Sequence, residues 1–319
     1  MEEIKLNAHA KLNLSLEILG KRPDGYHDIL SLMQGIGLCD ALKIQKCPQN
    51  GTKYNMPHCT IEGHDVYLCT NTKTIPTDMN NLAFKGIDAL MRAVKGVTRS
   101  ENALKEDLVI ELEKRLPVAA GIAGGSADAA AAMLGLNALL GYPLSLRELM
   151  DTGAAVGADV PFSLLMNARR NRASLPGLAG LDEASDAAWM TGTGDKVEPT
   201  EAVEYHVIMA NPGVSVSTAK AYAAMDEIGY SEKITGDSRK LFVNDMEKYA
   251  LANYPEIAEM KSMMSNKLEA YEVLMSGSGA SVAAYYKDKG KAERDFAVMR
   301  DESASRTNWG VWLTTTGDA

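Results

Sequence analysis

The sequence LPVAAGIAGGSADAAAA, residues 116–132, decides how the rest of the chain is interpreted. A strand-like run, Leu108–Leu112, precedes it, and a helix-like run with Met133 and four leucines follows it. The stretch therefore predicts a strand, a glycine-rich loop and a helix. Glycines let main-chain N–H groups approach an anion, and the first turn of a helix leaves such groups unpaired. The loop is either an anion site, most often for phosphate, or the start of a helix whose glycines only make a turn.

The totals predict a two-domain globular protein. The chain has 319 residues, of which 46% are hydrophobic and 24% charged, as is ordinary for a soluble protein. The net charge of −9 argues against nucleic acid as a partner. No signal peptide and no apolar run of membrane-spanning length is recognised, so we expect a cytoplasmic protein without a membrane partner. Four cysteines without CxxC spacing favour reduced thiols over zinc or disulfides.

Residues 4–18 alternate strictly, with apolar side chains at even positions and polar side chains at odd positions. This period predicts a β-strand, and its length favours a bend or two strands. Lys11 and Asn13 would lie on the same face. For a single lysine on such a face, a solvated surface position is the simpler interpretation.

Three further segments carry candidate chemistry. A turn at residues 20–28 contains Tyr26 and His27, which either stack on and read a nucleobase or form a hairpin tip. Asp159, in the sequence GADVPF, is either a partly desolvated base or an acid that makes a local turn. The sequence MSGSGA, residues 275–280, predicts a tight turn between strands, which would either bind an anion or simply close a hairpin.

The segment 166–190 changes in character. Three arginines precede a stretch rich in Gly, Ala, Ser and Asp, which predicts a surface insertion or linker between domains. The arginines fit a solvated loop better than a phosphate site. A second domain is expected from near Trp189, with a helix that begins after Ser217 and carries Tyr222.

Taken together, AKLNL at residues 10–14 with GYH at 25–27, the loop at 117–130, GADVPF at 157–162 and MSGSGA at 275–280 resemble the GHMP kinase superfamily. More narrowly, the first and third motifs resemble the branch that phosphorylates a CDP-linked methylerythritol. The resemblance covers nearly the whole chain. It implies an α+β fold with an N-terminal domain like ribosomal protein S5 domain 2 and a C-terminal ferredoxin-like domain. We expect domains at 1–165 and 191–319, with 166–190 as the insertion.

The resemblance implies ATP-dependent phosphorylation of the 2-hydroxyl of 4-diphosphocytidyl-2-C-methyl-D-erythritol, in the non-mevalonate route to isoprenoid precursors. Asp159 would take the hydroxyl proton, and Lys11 would orient that acid and stabilise the developing alkoxide. Tyr26 and Tyr222 would sandwich the cytosine, and His27 and Asn13 would hydrogen-bond the base or sugar side. The ATP phosphates would contact Pro117, Val118, Ala119, Ala120, Gly121, Ile122, Ala123, Gly124, Gly125, Ser126 and Ala127.

Mg²⁺ is expected with ATP, and Ser126 is a candidate contact, whereas no cage of protein ligands is expected. The loop departs from the family pattern, with Gly121-Ile122-Ala123 in place of Gly-Leu-Gly and Ala127 in place of a second serine. Two alternatives stay open. A homoserine or mevalonate type of kinase has no use for the Tyr26-His27 loop, and a non-catalytic nucleotide-binding regulator has no use for Lys11 and Asp159.

Overall fold

The computed structural model describes residues 1–49, 56–95, 104–231 and 239–317. Within these residues the helices are α1 (Leu82–Lys95), α2 (Gly124–Leu139), α3 (Leu146–Gly153), α4 (Val160–Arg170), α5 (Thr218–Ile228), α6 (Met246–Asn253), α7 (Pro255–Lys267) and α8 (Lys289–Ala304). The strands are β1 (Glu3–Lys21), β2 (His27–Cys47), β3 (His58–Ile61), β4 (His64–Thr70), β5 (Asp107–Glu113), β6 (Ala187–Thr191), β7 (Lys196–Thr200), β8 (His206–Asn211), β9 (Val243–Asn244), β10 (Glu272–Met275), β11 (Val282–Tyr286) and β12 (Gly310–Thr315).

The chain divides into two compact units. Unit 1 contains residues 1–10, 38–118 and 123–186, and unit 2 contains residues 11–37, 119–122 and 187–319. The strands β1 and β2 therefore contribute residues to both units, as does the glycine-rich loop. These units differ from the predicted domains 1–165 and 191–319, which stay predictions.

In unit 1 the strands lie in the order β3-β4-β5-β2-β1. The pairs β3·β4 and β2·β5 are antiparallel, whereas β4 and β5 are parallel, with Leu68 opposite Ile110. The even residues of β1 from Ile4 to Ala10 are buried, while Lys5 and Asn7 are exposed. The predicted alternation is thus confirmed for the part of β1 that lies in this unit.

Helix α2 forms the centre of unit 1 and is buried along nearly its whole length. Its four alanines, Ala129–Ala132, are fully buried, and small side chains of this kind let neighbouring elements approach closely. A Cβ added to Gly86 of α1 would lie 3.1 Å from the carbonyl oxygen of Ala129. Close packing of α1 on α2 thus fixes where the first turn of α2 lies within the unit.

In unit 1, two asparagines at the C-terminal end of α4 hydrogen-bond the main chain of β1. The side-chain amide of Asn171 both donates to the carbonyl of Asn7 and accepts from its N–H, each at 2.9 Å. Asn167 makes the same pair of contacts with His9, at 3.4 and 2.8 Å. Because the two side chains lie one helical turn apart, they pair with alternate residues of β1 in place of a further strand.

Unit 2 contains two sheets. In the first, the strand order is β7-β6-β2-β1-β9. Strand β9 is parallel to β1, whereas β6 is antiparallel to both β2 and β7. A tight turn after Thr191 joins β6 to β7. The second sheet is antiparallel, in the order β10-β11-β8-β12. With α5 to α7 after β8 and α8 after β11, its connectivity is the βαββαβ of a ferredoxin-like domain.

The core of unit 2 is rich in methionine. Met225, Met260, Met264, Met275 and Met299 are fully buried together with apolar residues of β8, β11 and the helices. Methionine fills irregular gaps between elements of different direction. The resulting core holds β10, β11 and α5 in place, and these elements carry the turn at 275–280 and Tyr222.

Two predicted segments can be compared with the structure. Residues 4–18, expected to form a bent strand or two strands, lie in one continuous strand of 19 residues. The segment 166–190 contains the end of α4, two short 3₁₀ helices at Arg172–Ser174 and Leu181–Glu183, and the start of β6. It is not a solvated linker throughout, because Leu175 is fully buried and Arg170 forms a buried ion pair with Asp186.

Two further expectations concern the state of the cysteines and the presence of membrane-spanning helices. The four cysteines, Cys39, Cys47, Cys59 and Cys69, are free thiols. In the described part of the chain, no helix has the length and apolar character needed to cross a bilayer.

Candidate active site

The glycine-rich loop turns sharply at Gly121, in the part of the loop that belongs to unit 2. Gly121 has a φ of +75°, and a Cβ at this position would lie 2.3 Å from the carbonyl oxygen of Ser276 and 2.8 Å from that of Gly279. Both the left-handed backbone and the close approach require glycine here. The carbonyl of Ala120 also accepts a hydrogen bond from the N–H of Ser281, at 3.2 Å.

The turn at residues 275–280 lies directly against this part of the loop. The hydroxyl of Ser276 donates to the carbonyl of Gly121 at 3.0 Å. The side-chain amide of Asn244 donates to the carbonyls of Met275 and Gly277, each at 2.8 Å, and so holds the turn from its other side. The two glycine-rich motifs, separated by about half of the sequence, therefore support each other's backbone.

Lys11 is buried beside the same loop, with 3% of its surface exposed. Its ammonium donates to Asn13 Oδ1 at 2.6 Å and to the carbonyl of Gly121 at 3.4 Å, and its main-chain N–H donates to Ile122 at 3.1 Å. The interpretation of Lys11 as a solvated surface lysine is therefore wrong. The β-strand places it as predicted, but the loop and the turn at 275–280 cover that face.

Asn13 continues a buried polar chain along β1. It is 1% exposed, and its side-chain amide donates to the hydroxyl of Ser31 at 2.8 Å. Ser31 in turn donates to the carbonyl of Ser15 at 2.6 Å. With its amide fixed in this way, the carbonyl oxygen of Asn13 points to Lys11 and holds the ammonium in one position.

The remainder of the loop belongs to unit 1 and leads into α2. Ala123, which precedes the helix, is in the left-handed region with φ 55° and ψ 31°. The first N–H groups of a helix have no acceptor within the helix, and here Gly124 and Gly125 carry no side chain that would shield them. Ser126 lies in this first turn and is 8% exposed. The local backbone can thus bind a phosphate oxygen.

A buried charged cluster lies beneath this first turn, and the sequence interpretation missed it. Lys114 contacts both Asp40 and Asp128, with 2.7 Å between its ammonium nitrogen and Asp128 Oδ2. Asp40 also accepts the N–H groups of Arg115 and Leu116, at 2.6 and 2.9 Å. All three charged side chains are at least nine-tenths buried. The signal in the sequence was Asp128, a single acid within a helix of alanines.

The cluster changes the titration of its members. Burial raises the pKa of Asp128 to about 7, because it outweighs the opposing charge of Lys114, and the carboxylate of Asp40 acts in the same direction as burial. Burial lowers the pKa of Lys114, but the charges of Asp128 and Asp40 outweigh it and leave the pKa raised. One ammonium is thus shared by two acids, and Asp128 Oδ1 has no hydrogen-bond partner.

Asp159 lies in unit 1 at the N-terminal cap of α4. Its backbone is helical, with φ −84° and ψ −7°, and its side chain does not bond the first turn of the helix. Pro161 follows at the start of the helix, where proline is favoured. The side chain is partly exposed rather than buried. The interpretation of Asp159 as an acid that only makes a turn bond is not supported by this geometry.

The aromatic residues predicted for the base are arranged differently from the expected sandwich. In unit 2 the ring of Tyr222 stacks on His27, with 5.1 Å between centroids and 22° between planes. Tyr26 is 67% exposed. A base could stack on Tyr26 without displacing any side chain, whereas Tyr222 now covers the imidazole.

His27 is also bound to Asp226, which the sequence interpretation did not select. The Nε2 atom of His27 lies 2.9 Å from Asp226 Oδ1, and Lys21 forms an ion pair with the same carboxylate. Tyr222 and Asp226 are one turn apart on α5, so both reach His27 from one face of the helix. This i, i+4 spacing was the only sign of the contact in the sequence.

Two further features of the described residues bear on ligands. No group of three or more His, Cys, Asp or Glu side chains there is arranged to hold a metal ion. A cavity of about 670 Å³ lies in unit 1, lined by β1, β2, β4, β5 and the end of α4. None of the site residues predicted from the sequence lines it.

Comparison with known proteins identifies related sequences. The profile of the GHMP kinases N terminal domain matches residues 81–167, and that of the GHMP kinases C terminal domain matches residues 221–304. The 4-diphosphocytidyl-2-C-methyl-D-erythritol kinase of Alkaliphilus metalliredigens is 32% identical over 307 residues, which cover 92% of this chain and 91% of that protein. The protein of the same name from Geobacter sulfurreducens is 30% identical, covering 95% and 97%.

Solved structures show the same fold. A crystal structure of 4-(cytidine 5'-diphospho)-2C-methyl-D-erythritol kinase superposes with a TM-score of 0.72 at 24% identity, covering 99% of this chain and 100% of that one. Homoserine kinase from Cytophaga hutchinsonii superposes with a TM-score of 0.59 at 13% identity, covering 99% and 95%. The α+β architecture with GHMP N- and C-terminal domains, expected from the motifs, is therefore confirmed.

Proposed function

Because the chain belongs to the 4-diphosphocytidyl-2-C-methyl-D-erythritol kinases of the GHMP kinase superfamily, we propose that it transfers the γ-phosphoryl group of ATP to the 2-hydroxyl of 4-diphosphocytidyl-2-C-methyl-D-erythritol. This is a step of the non-mevalonate route to isoprenoid precursors. The names of the relatives support the substrate. The motifs that carry the resemblance stand at residues 10–14, 25–27, 117–130, 157–162 and 275–280 of this chain.

The observation that carries the proposal is the buried ammonium of Lys11 at the glycine-rich loop. Removing an ammonium from water is costly, so a buried lysine is held by polar partners. Here the amide oxygen of Asn13 and the carbonyl of Gly121 accept hydrogen bonds from it. The ammonium is thereby fixed beside the loop, where it would stabilise the negative charge of a phosphoryl group in transfer or of the alkoxide that attacks it.

We assign the proton transfer to Asp159. In phosphoryl transfer the protein mainly positions the reactants and neutralises charge, and a carboxylate within reach of the acceptor hydroxyl takes its proton as attack proceeds. Asp159 suits this role because its carboxylate is not engaged in capping α4 and is partly exposed. Lys11 would stabilise the oxygen as its negative charge develops.

The ATP phosphates are assigned to the loop from Pro117 to Ala127. Its backbone is held by Ser276 and Ser281 in unit 2 and leads into the open first turn of α2 in unit 1. The hydroxyl of Ser126, in that turn, is an oxygen ligand of the kind that Mg²⁺ accepts beside substrate phosphates. The ion, when bound, would neutralise phosphate charge. The cytidine is assigned to Tyr26, Tyr222 and His27, with Asn13 near the sugar side.

The test is an ATP-dependent phosphorylation assay with the purified chain and three acceptors, the CDP-linked methylerythritol, homoserine and mevalonate. We expect turnover of the first alone. Turnover of homoserine or mevalonate instead would establish the other type of GHMP kinase, and nucleotide binding without any turnover would establish a regulator.

The assignment of Asp159 is tested by Asp159→Asn in the same assay. We expect kcat to fall by about 10²- to 10⁴-fold, as for loss of a general base, while ATP still binds in a direct titration. Asp151→Asn is the matched control, since Asp151 lies in the same unit with 66% of its side chain exposed. A variant at Asp159 with wild-type kcat would remove this residue from the mechanism.

A further inference from the structure

Asp226 is the centre of a small network around His27. Its Oδ1 atom lies 2.9 Å from His27 Nε2 and accepts the hydroxyl of Tyr230 at 2.6 Å. Its other oxygen is paired with the ammonium of Lys21. The three partners come from the end of β1, the start of β2 and the residue that follows α5 by two positions, so the carboxylate ties these segments together.

The network requires Asp226 to be ionised. Lys21, Tyr230 and His27 all donate to the carboxylate and hold its pKa well below the usual range. An ionised carboxylate has no proton to give, and therefore it only accepts hydrogen bonds. The proton between Asp226 and His27 must for this reason reside on Nε2.

A proton on Nε2 determines the chemistry of the other ring nitrogen. In the neutral imidazole only one nitrogen carries hydrogen, so Nδ1 is left as an acceptor. Among the described residues, Nδ1 makes no hydrogen bond. The ring cannot easily turn over, because its side chain is 6% exposed and Tyr222 is stacked on it.

We propose that Asp226 is a positioning residue that makes His27 selective for cytosine over uracil. The proposal rests on the function proposed above, in which the substrate carries a cytidine diphosphate. The 4-amino group of cytosine is a donor and matches the acceptor at Nδ1. Uracil has a carbonyl oxygen at the same ring position, so that two acceptors would face each other without a proton between them.

The experiment measures binding of CDP and of UDP to the full chain by calorimetry. For the wild type we expect CDP to bind about 10- to 100-fold more tightly than UDP, the range for one well-formed base contact. In Asp226→Asn the amide can turn its NH₂ toward Nε2, which moves the imidazole proton to Nδ1. The ratio is then expected to fall to near one or to invert.

Glu227→Gln is the matched control, since it removes an exposed charge from the adjacent position of α5. It should keep the wild-type ratio. A merely structural role for Asp226 would weaken CDP and UDP equally and leave their ratio unchanged, and that result would overturn the proposal.

A second measurement does not depend on the variant. The ¹⁵N spectrum of the imidazoles of the wild-type chain distinguishes a protonated from an unprotonated ring nitrogen. We expect His27, assigned from the spectrum of His27→Gln, to show an unprotonated Nδ1. A protonated Nδ1, with or without a proton on Nε2, would overturn the inference. Failure of the kinase assay with intact CDP selectivity would instead overturn the proposed substrate and leave the role of Asp226 standing.

Discussion

Burying the ammonium of Lys11 costs free energy of folding, but it also places that charge where the proposed reaction needs it. Its ammonium donates to Asn13 and Gly121, and the residue is 3% exposed. Removing a cation from water costs free energy. The same exclusion of water strengthens the attraction between this ammonium and a negative charge that develops beside the loop.

We predict that Lys11→Met lowers kcat by about 10²- to 10³-fold, the usual loss when one charge-stabilising donor is removed. Binding of the acceptor should change much less, because the charge that Lys11 stabilises develops during transfer. Steady-state kinetics with both substrates would measure this. Lys5→Met is the control, since Lys5 is an exposed lysine of the same strand. A change confined to KM would contradict the assignment.

The burial of Lys11 could not be predicted from its own segment. Alternation from Ile4 to Ile18 correctly predicts a strand and places Lys11 and Asn13 on one face. Whether that face is solvated depends on residues more than a hundred positions away, at Gly121 and Ser276. For the same reason Asp226 was missed, since its contact with His27 joins residues 199 positions apart.

Asp128 should make stability depend on pH. Its pKa is raised to about 7 in the folded chain, from an ordinary value near 4. Between these values the folded state holds a proton that the unfolded state has lost. The contribution of Asp128 to stability is therefore fully present below pH 4 and is lost as the pH rises toward 7.

The measurement compares urea unfolding of the wild type and of Asp128→Asn between pH 4 and pH 8. We expect the free energy of unfolding of the wild type to fall relative to that of the variant as the pH rises, because only the wild type has a buried carboxyl group at position 128 to ionise. The control is Asp88→Asn, which removes a partly exposed acid of α1. A difference that does not vary with pH would contradict the raised pKa.

Among the elements, the glycine-rich loop depends most on a single backbone conformation. Any side chain at Gly121 would collide with main-chain atoms of the turn at residues 275–280, which cannot move aside as a flexible side chain would. The loop and this turn are therefore one structural element formed by two segments of sequence.

We predict that Gly121→Ala lowers the free energy of unfolding by about 2–4 kcal/mol, from left-handed strain and the main-chain collision together. Gly63→Ala is the control, because Gly63 has φ +88° but nothing within 4 Å of an added Cβ. That substitution should cost only about 1 kcal/mol, from strain alone. Chemical denaturation of both variants measures the difference. Equal losses would show that the close approach at Gly121 contributes nothing.

The helices, strands and loops could be predicted from the sequence more fully than the contacts of individual side chains. The strand, loop and helix around residues 108–140 and the helix after Ser217 are local patterns, and each is present. The small polar composition of residues 166–190 resembles a linker, and the segment contains the end of α4, two 3₁₀ helices and the start of β6. The buried Leu175 and the two asparagines that pair with β1 are recognisable only once their partners are placed.

For the whole molecule, the division into two units does not follow the order of the sequence. The chain passes between them five times, at residues 10–11, 37–38, 118–119, 122–123 and 186–187. Since β1 and β2 are continuous strands that serve both units, loss of one unit removes the support of strands in the other. Unfolding is therefore expected to be a single cooperative transition.

Two probes can test this expectation. All three tryptophans, Trp189, Trp309 and Trp312, lie in unit 2, so their fluorescence reports that unit alone. Far-ultraviolet circular dichroism reports the helices of both units. We predict that the two signals give the same midpoint and slope in urea, the criterion for two-state behaviour. Separate midpoints would show that the units unfold independently.

The five crossings also have a consequence for biosynthesis. When Asp186 leaves the ribosome, unit 1 has all its residues, but β1 from Lys11 and β2 up to Gly37 have no β6 or β9 beside them. Translation of the remaining chain takes on the order of 10 s. During that interval a nascent chain exposes unpaired strand edges with apolar side chains. Unpaired edges of this kind favour association with other chains, so we expect aggregation during synthesis to increase the longer the rest of unit 2 takes to emerge.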